Sequence, residues 1–178
     1  DGMSKIFTLL VGGVLLLAAS ACYQKAPVID KESPRLSVRV SDSTYNGSNP
    51  YSYMLYESHG PREEAGFVTT DGSANIRAHG ADFGGVKSIT ITAENGNLTP
   101  APYIGVRPIE TTVDGNTSIV TISGDQLYAQ TPLEHVVTVT PNGSNEVLVN
   151  VSVQDLGGFE GRSNTTSSPE IKVVFSNQ

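Results

Sequence analysis

Val147-Leu148-Val149-Asn150-Val151-Ser152-Val153-Gln154 carries valine at every second position. Successive side chains of a strand point to opposite faces, so the four valines line one face and the residues between them the other. On a helix, 100° per residue would scatter the same valines around the cylinder. β-branching reinforces the strand reading.

The same period of two extends in both directions. Downstream, Ile171, Val173 and Phe175 repeat the period, with Lys172 and Ser176 on the other face. Upstream lie Val137 and Val139, Val120 and Ile122, a shorter run at Ile104 and Val106, then Ile89, Ile91 and Ala93, Ile76 and Ala78, and Leu36, Val38 and Val40. No stretch after about residue 34 carries a helical stripe. Asn46-Gly47, Asp71-Gly72, Asn95-Gly96, Asp114-Gly115 and Asn142-Gly143 separate the runs with residues that tolerate positive φ. Asn142-Gly143 lies between two valine-rich runs and predicts a hairpin. About seven or eight short strands so punctuated predict a two-sheet sandwich, with a small barrel as the alternative.

The 178 residues suit one domain with short appendages. The formal charge is −7, and no basic cluster is present, which argues against nucleic acid. It also predicts no electrostatic attraction of the folded part to an anionic bilayer. A single cysteine excludes an intramolecular disulfide, so stability must come from the apolar core.

Asp1-Gly2 read as a cloning remnant before a natural start at Met3. Lys5 then precedes an apolar run from Ile6 to Ala19, shorter than the roughly 20 residues a bilayer span needs. The run ends Leu17-Ala18-Ala19-Ser20-Ala21-Cys22, which resembles the bacterial lipobox, with Ala19 where that family favours Leu. The resemblance implies acylation of Cys22 and cleavage before it. Ala19-Ser20-Ala21 also meets the small-x-small rule for ordinary signal cleavage, which would leave a soluble protein; an uncleaved anchor is a third reading. The position of the only cysteine favours the lipoprotein. Tyr23, standing where an Asp would signal inner-membrane retention, implies the outer membrane. Residues 3–21 are thus expected to be a signal peptide and residues 22–34 a lipidated tether reaching at most about 40 Å. The sandwich is expected over residues 35–178.

Ala74 to Gly96 resembles the B and C strands of bacterial immunoglobulin-like domains, joined by an Asp-x-x-Gly corner at Asp82-Phe83-Gly84-Gly85. Val147 to Phe175 resembles their F and G strands, with a matching corner at Asp155-Leu156-Gly157-Gly158. The resemblance implies an all-β immunoglobulin-like sandwich of seven to eight antiparallel strands. It also implies that the two corners are neighbours at one end.

Several residues then become candidates. Asp82, Asp155 and Glu160 could offer oxygens to Ca²⁺, although no Asp-x-Asp-x-Asp run supports this; the competing reading has each Asp accepting N–H groups of its own turn. The F–G connection from Gly157 to Pro169 is long and polar and carries Phe159 and Arg162, candidates for partner binding. Tyr45, Tyr51, Tyr53 and Tyr56 crowd one segment. On an extended chain Tyr51, Tyr53 and Leu55 share a face, with Met54 and Tyr56 opposite, and tyrosines suit contact with sugars or proteins. His59, His79 and His135 lack zinc spacing and read as surface residues. No nucleophile motif, phosphate loop or dinucleotide pattern occurs, so no enzyme and no cofactor is expected beyond the lipid on Cys22.

These readings converge on a membrane-anchored envelope lipoprotein whose sandwich is a protein-interaction or structural module. Its expected partners are the bilayer and another envelope or surface protein. A glycan-binding module using Tyr45–Tyr56 is the alternative, and a hydrolase of unfamiliar type ranks third.

Overall fold

The structure, a computed structural model, describes residues 32–42, 53–60, 66–102, 107–124, 132–157 and 162–176. Cys22, the expected signal peptide and most of the expected tether, Asn46-Gly47, Tyr45, Tyr51, the run at Ile104 and Val106, Phe159 and Glu160 lie outside these residues.

Twelve strands form among the described residues: β1 (Arg35–Asp42), β2 (Tyr53–Glu57), β3 (Gly66–Thr69), β4 (Ala74–Ala81), β5 (Val86–Glu94), β6 (Gly96–Pro100), β7 (Ile109–Asp114), β8 (Thr117–Ser123), β9 (Leu133–Pro141), β10 (Glu146–Asp155), β11 (Thr165–Ser167) and β12 (Ile171–Phe175). One sheet runs β2-β1-β4-β9-β6. The other runs β3-β12-β10-β5-β8-β7, with β11 also on β10. The fold is an all-β immunoglobulin-like sandwich, and the B and C strands of the expected scheme, β4 and β5, stand in opposite sheets. The strands beyond the expected seven or eight are mostly short pieces such as β2, β3 and β11. One pairing, β3 with β12, is parallel.

The alternating residues make the core. Val147, Val149, Val151 and Val153 are fully buried, and Ile76, Ala78, Val137 and Val139 are equally buried on the facing sheet. Burying each Val or Ile side chain contributes about 1.5–3 kcal/mol. The sheets come close where Gly80 meets Val153; a Cβ on Gly80 would lie 2.7 Å from Val153 Cγ2.

Two turns depart from expectation. Asn142-Gly143 is not a hairpin. β9 pairs with β4 and β6, whereas β10 pairs with β5, β11 and β12. The turn therefore carries the chain from one sheet to the other. An Asn-Gly signal specifies a reversal of the chain, not which neighbours the flanking strands take. The hairpin lies instead at Asp114-Gly115, where Asp114 pairs Thr117 and Gly115 has φ 59°. Asn95, at φ 59°, bends β5 directly into β6 of the opposite sheet. Its N–H donates to Asn116 O at 2.9 Å, and its carbonyl accepts from Asn142 N at 2.8 Å.

The sandwich has two unlike ends. At one, the chain enters β1 beside the corner at residues 82–85 and the connection after β10. At the other lie the turns around residues 71, 95, 115 and 143.

Candidate functional site

The two corners are neighbours, as the resemblance implied. Leu156 N donates to Gly85 O at 2.9 Å, and Asp155 pairs Val86 across β10 and β5. Each aspartate braces its own turn. Asp82 Oδ2 accepts from Gly84 N at 2.8 Å. Asp155, 1% exposed, accepts from Gly157 N at 2.8 Å and Asn164 N at 2.7 Å on Oδ1, and from Asn164 Nδ2 at 2.8 Å on Oδ2. The oxygens of Asp155 are thus engaged by N–H donors, the arrangement of the turn reading. Among the described residues no three His, Cys, Asp or Glu side chains gather as metal ligands.

The described residues of the F–G connection include regular structure. Residues Thr165–Ser167 form β11 on β10. Buried Ser168 accepts from Val151 N at 3.0 Å and donates to Pro169 O at 2.8 Å. The same connection grips the incoming chain: Thr166 Oγ1 donates to Pro34 O at 2.6 Å, and Asn164 Nδ2 to Glu32 O at 3.3 Å. Arg162 is exposed at this end.

The tyrosine segment does not keep the expected two faces. The β1–β2 register steps from Val38↔Tyr56 to Arg39↔Met54, skipping Leu55. This bulge lets both Leu55 and Tyr56 approach the core, with Leu55 buried and Tyr56 packed against it. Tyr53 is 60% exposed, and its ring lies over Phe67 of β3, centroids 5.7 Å apart and planes tilted by 44°. β2 and β3 are edges of opposite sheets, so this contact bridges an open seam of the sandwich. A groove of about 360 Å³ follows the seam, lined by Asp42, Tyr53, Leu55, Phe67 and Val68 among others. Val68 is 65% exposed. The carboxylate of Asp42 accepts the Thr69 hydroxyl, tying β1 to β3.

A second groove, about 370 Å³, lies on the outer face of β1 and β4 and is polar, with Arg39, Glu57, Arg77, His79 and Glu134 on its walls. Arg39 stands directly opposite Arg77 in the register. Arg77 pairs Glu134 at 3.6 Å, with both side chains well exposed. The sequence reading missed this cluster, because two arginines far apart in the chain become neighbours only through the β1–β4 register. His135 corrects another expectation: it is 3% exposed, on the inward side of β9, and burial pushes its pKa below the usual imidazole value. A Ser–His contact exists at Ser58 Oγ and His59 Nδ1, 3.0 Å apart. It joins adjacent residues of a turn, and Ser58 Oγ already accepts the Leu36 N–H that fixes that turn.

No family model matches the chain, and no curated protein matches it. Among solved structures, the crystal structure of BcpA, the major pilin subunit of Bacillus cereus, superposes with a TM-score of 0.45 at 10% identity, over 81% of this chain and 41% of that one. An aspartate-to-alanine variant of the same subunit gives 0.46 at 13% identity, with the same coverage. This chain spans about two fifths of that pilin's length, 41%.

Proposed function

We propose that this chain is a cell-envelope lipoprotein, held in an outer membrane by acyl chains on Cys22, whose sandwich is a protein-interaction module working through the β2–β3 seam. The observation behind the module is the pairing of exposed Tyr53 and Val68 over buried Leu55 and Phe67. Exposed apolar side chains that line one groove, rather than standing singly, are the usual mark of a contact surface. The anchor rests on the lipobox-like residues before Cys22. Glycan binding is the second reading and uses the same groove, where the Tyr53 ring and the Asp42 carboxylate offer stacking and hydrogen bonding together.

Intact-mass spectrometry of the membrane-extracted protein tests the anchor. The expected product begins at Cys22 and carries diacylglycerol, and Cys22→Ser moves the protein to the aqueous fraction. An unmodified Cys22 overturns it. Tyr53→Ala and Val68→Asp test the module: both should weaken site-specific cross-linking to an envelope neighbour, or retention on polysaccharide, at unchanged melting temperature. Unchanged cross-linking and retention would reject the seam.

A further inference from the structure

We infer that the end of the sandwich where the tether joins is a lipid-facing surface, with Phe83 as its apolar contact and Arg35, Lys87 and Arg162 as its cationic contacts to anionic headgroups. The inference rests on the anchor proposed above and adds an orientation to it.

Three separate features meet at this end. The first is Phe83, which at 73% is the most exposed of the large hydrophobic side chains described. It does not hang on a slack loop. The Asp82–Gly84 bond closes its turn, and Leu156 N holds Gly85 O from the neighbouring corner. A rigid, protruding aromatic ring loses little conformational freedom on entering an interface.

The second feature is where the chain arrives. Asn164 and Thr166 hold the carbonyls of Glu32 and Pro34, and Asn164 is itself fixed by Asp155 beside the corner carrying Phe83. The tether is thereby fastened at this end before β1 begins. A short tether keeps Phe83 at high effective concentration next to the bilayer, so one ring suffices where it would not hold an unattached protein.

The third feature is the distribution of charge. Asp42, Asp71, Glu94, Asp114 and Glu146 end or flank strands at the far end, where Lys172 pairs Glu146 at 2.9 Å. Arg35, Lys87 and Arg162 are exposed at the tether end, alongside exposed Glu32, half-buried Asp82 and buried Asp155. β10 has 10 residues and spans the sandwich; at about 3.3 Å each it puts the acidic end about 33 Å away. That is several times the roughly 8 Å screening length in physiological salt. A membrane at the tether end therefore senses the charges nearby, where exposed Arg35, Lys87 and Arg162 stand among Glu32 and Asp82, and not the net charge of −7. The acidic composition as a whole does not decide whether this end meets anionic lipid.

The chain contains no tryptophan, so single reporters are clean. The acylated full chain is reconstituted into phosphatidylcholine vesicles with or without phosphatidylglycerol, carrying either Phe83→Trp or, as a control near the far end, Val113→Trp. The Phe83→Trp emission should shift to the blue and be quenched by brominated acyl chains, more so with phosphatidylglycerol and less in high salt. The Val113→Trp emission should not move. A chain that floats with vesicles while the two reporters behave alike overturns this inference and leaves the anchor standing. A chain that does not float overturns both.

Discussion

Asp155 and Asn164 hold one another at three points. The Asn164 backbone N–H and side-chain amide reach the two carboxylate oxygens at 2.7 and 2.8 Å, and the Asn164 carbonyl accepts from Asp155 N at 3.1 Å. With Gly157 N also on Oδ1, one buried carboxylate organises the departure from β10, the approach to β11 and, through Asn164, the grip on Glu32 ahead of β1.

Asp155→Ala should therefore leave three donors without their acceptor and destabilise the fold by about 2–4 kcal/mol. Asp155→Asn should lose less, because one amide oxygen remains. Urea midpoints at unchanged m-value measure both; equal midpoints for wild type and Asp155→Ala would contradict the bracing role.

His135 should make stability depend on pH. Its folded pKa lies below the ordinary 6.5 because burial disfavours the cation. The unfolded chain then binds the proton more readily. Stability is full above about pH 6.5 and declines as pH falls from there toward the depressed value. Urea midpoints across this window should fall for the wild type and fall less for His135→Leu; parallel profiles would refute the assignment.

Gly80→Ala should cost about 1–3 kcal/mol by pushing Val153 from its packing. Val153→Ala opens the same space, so the double variant should lose less than the sum of the single losses. Additive losses would show that the two positions do not share the contact.

Ser118, 2% exposed on β8, accepts the Leu98 N–H of β6 at 3.2 Å and so links the two sheets. Ser118→Ala should cost about 1–2 kcal/mol and accelerate hydrogen exchange at the Leu98 amide. Unchanged exchange there would remove this bond from the account.

The β2 bulge separates neighbours of similar sequence character. Leu55→Ala should destabilise by about 2–4 kcal/mol, as a core truncation does. Tyr53→Ala should change stability by less than about 1 kcal/mol while altering binding. Equal melting shifts for the two would mean that Tyr53 is structural.

The architecture was legible because core strands obey one rule that the residues display openly. β10, β4 and β8 follow their alternation residue by residue. The edge strand β7 does not: it is exposed along nearly its whole length and has no buried face to write into its sequence. Asn142-Gly143 misled because turn chemistry is local whereas the choice of sheet is not. The adjacency of the Asp82 and Asp155 corners was readable through the family resemblance. The seam was half readable: the tyrosines drew attention to β2, but the bulge that turns Leu55 inward and the Phe67 that meets Tyr53 arise from pairings invisible in a linear string. His135 reads as polar, yet its place in an alternating strand beside Leu133 and Val137 already marked it as inward-facing.

The parallel pairing of β3 with β12 has a kinetic consequence. β12 is flanked by β3 on one side and β10 on the other, joining residues 66–69 to residues 171–175. A chain emerging amino terminus first must keep β3 waiting with an unsatisfied edge until residues 171–175 have arrived. Such distant partners raise contact order and slow folding. The waiting edge is also where a neighbouring unfinished chain could insert its own β12, so folding at high chain concentration should yield strand-exchanged dimers.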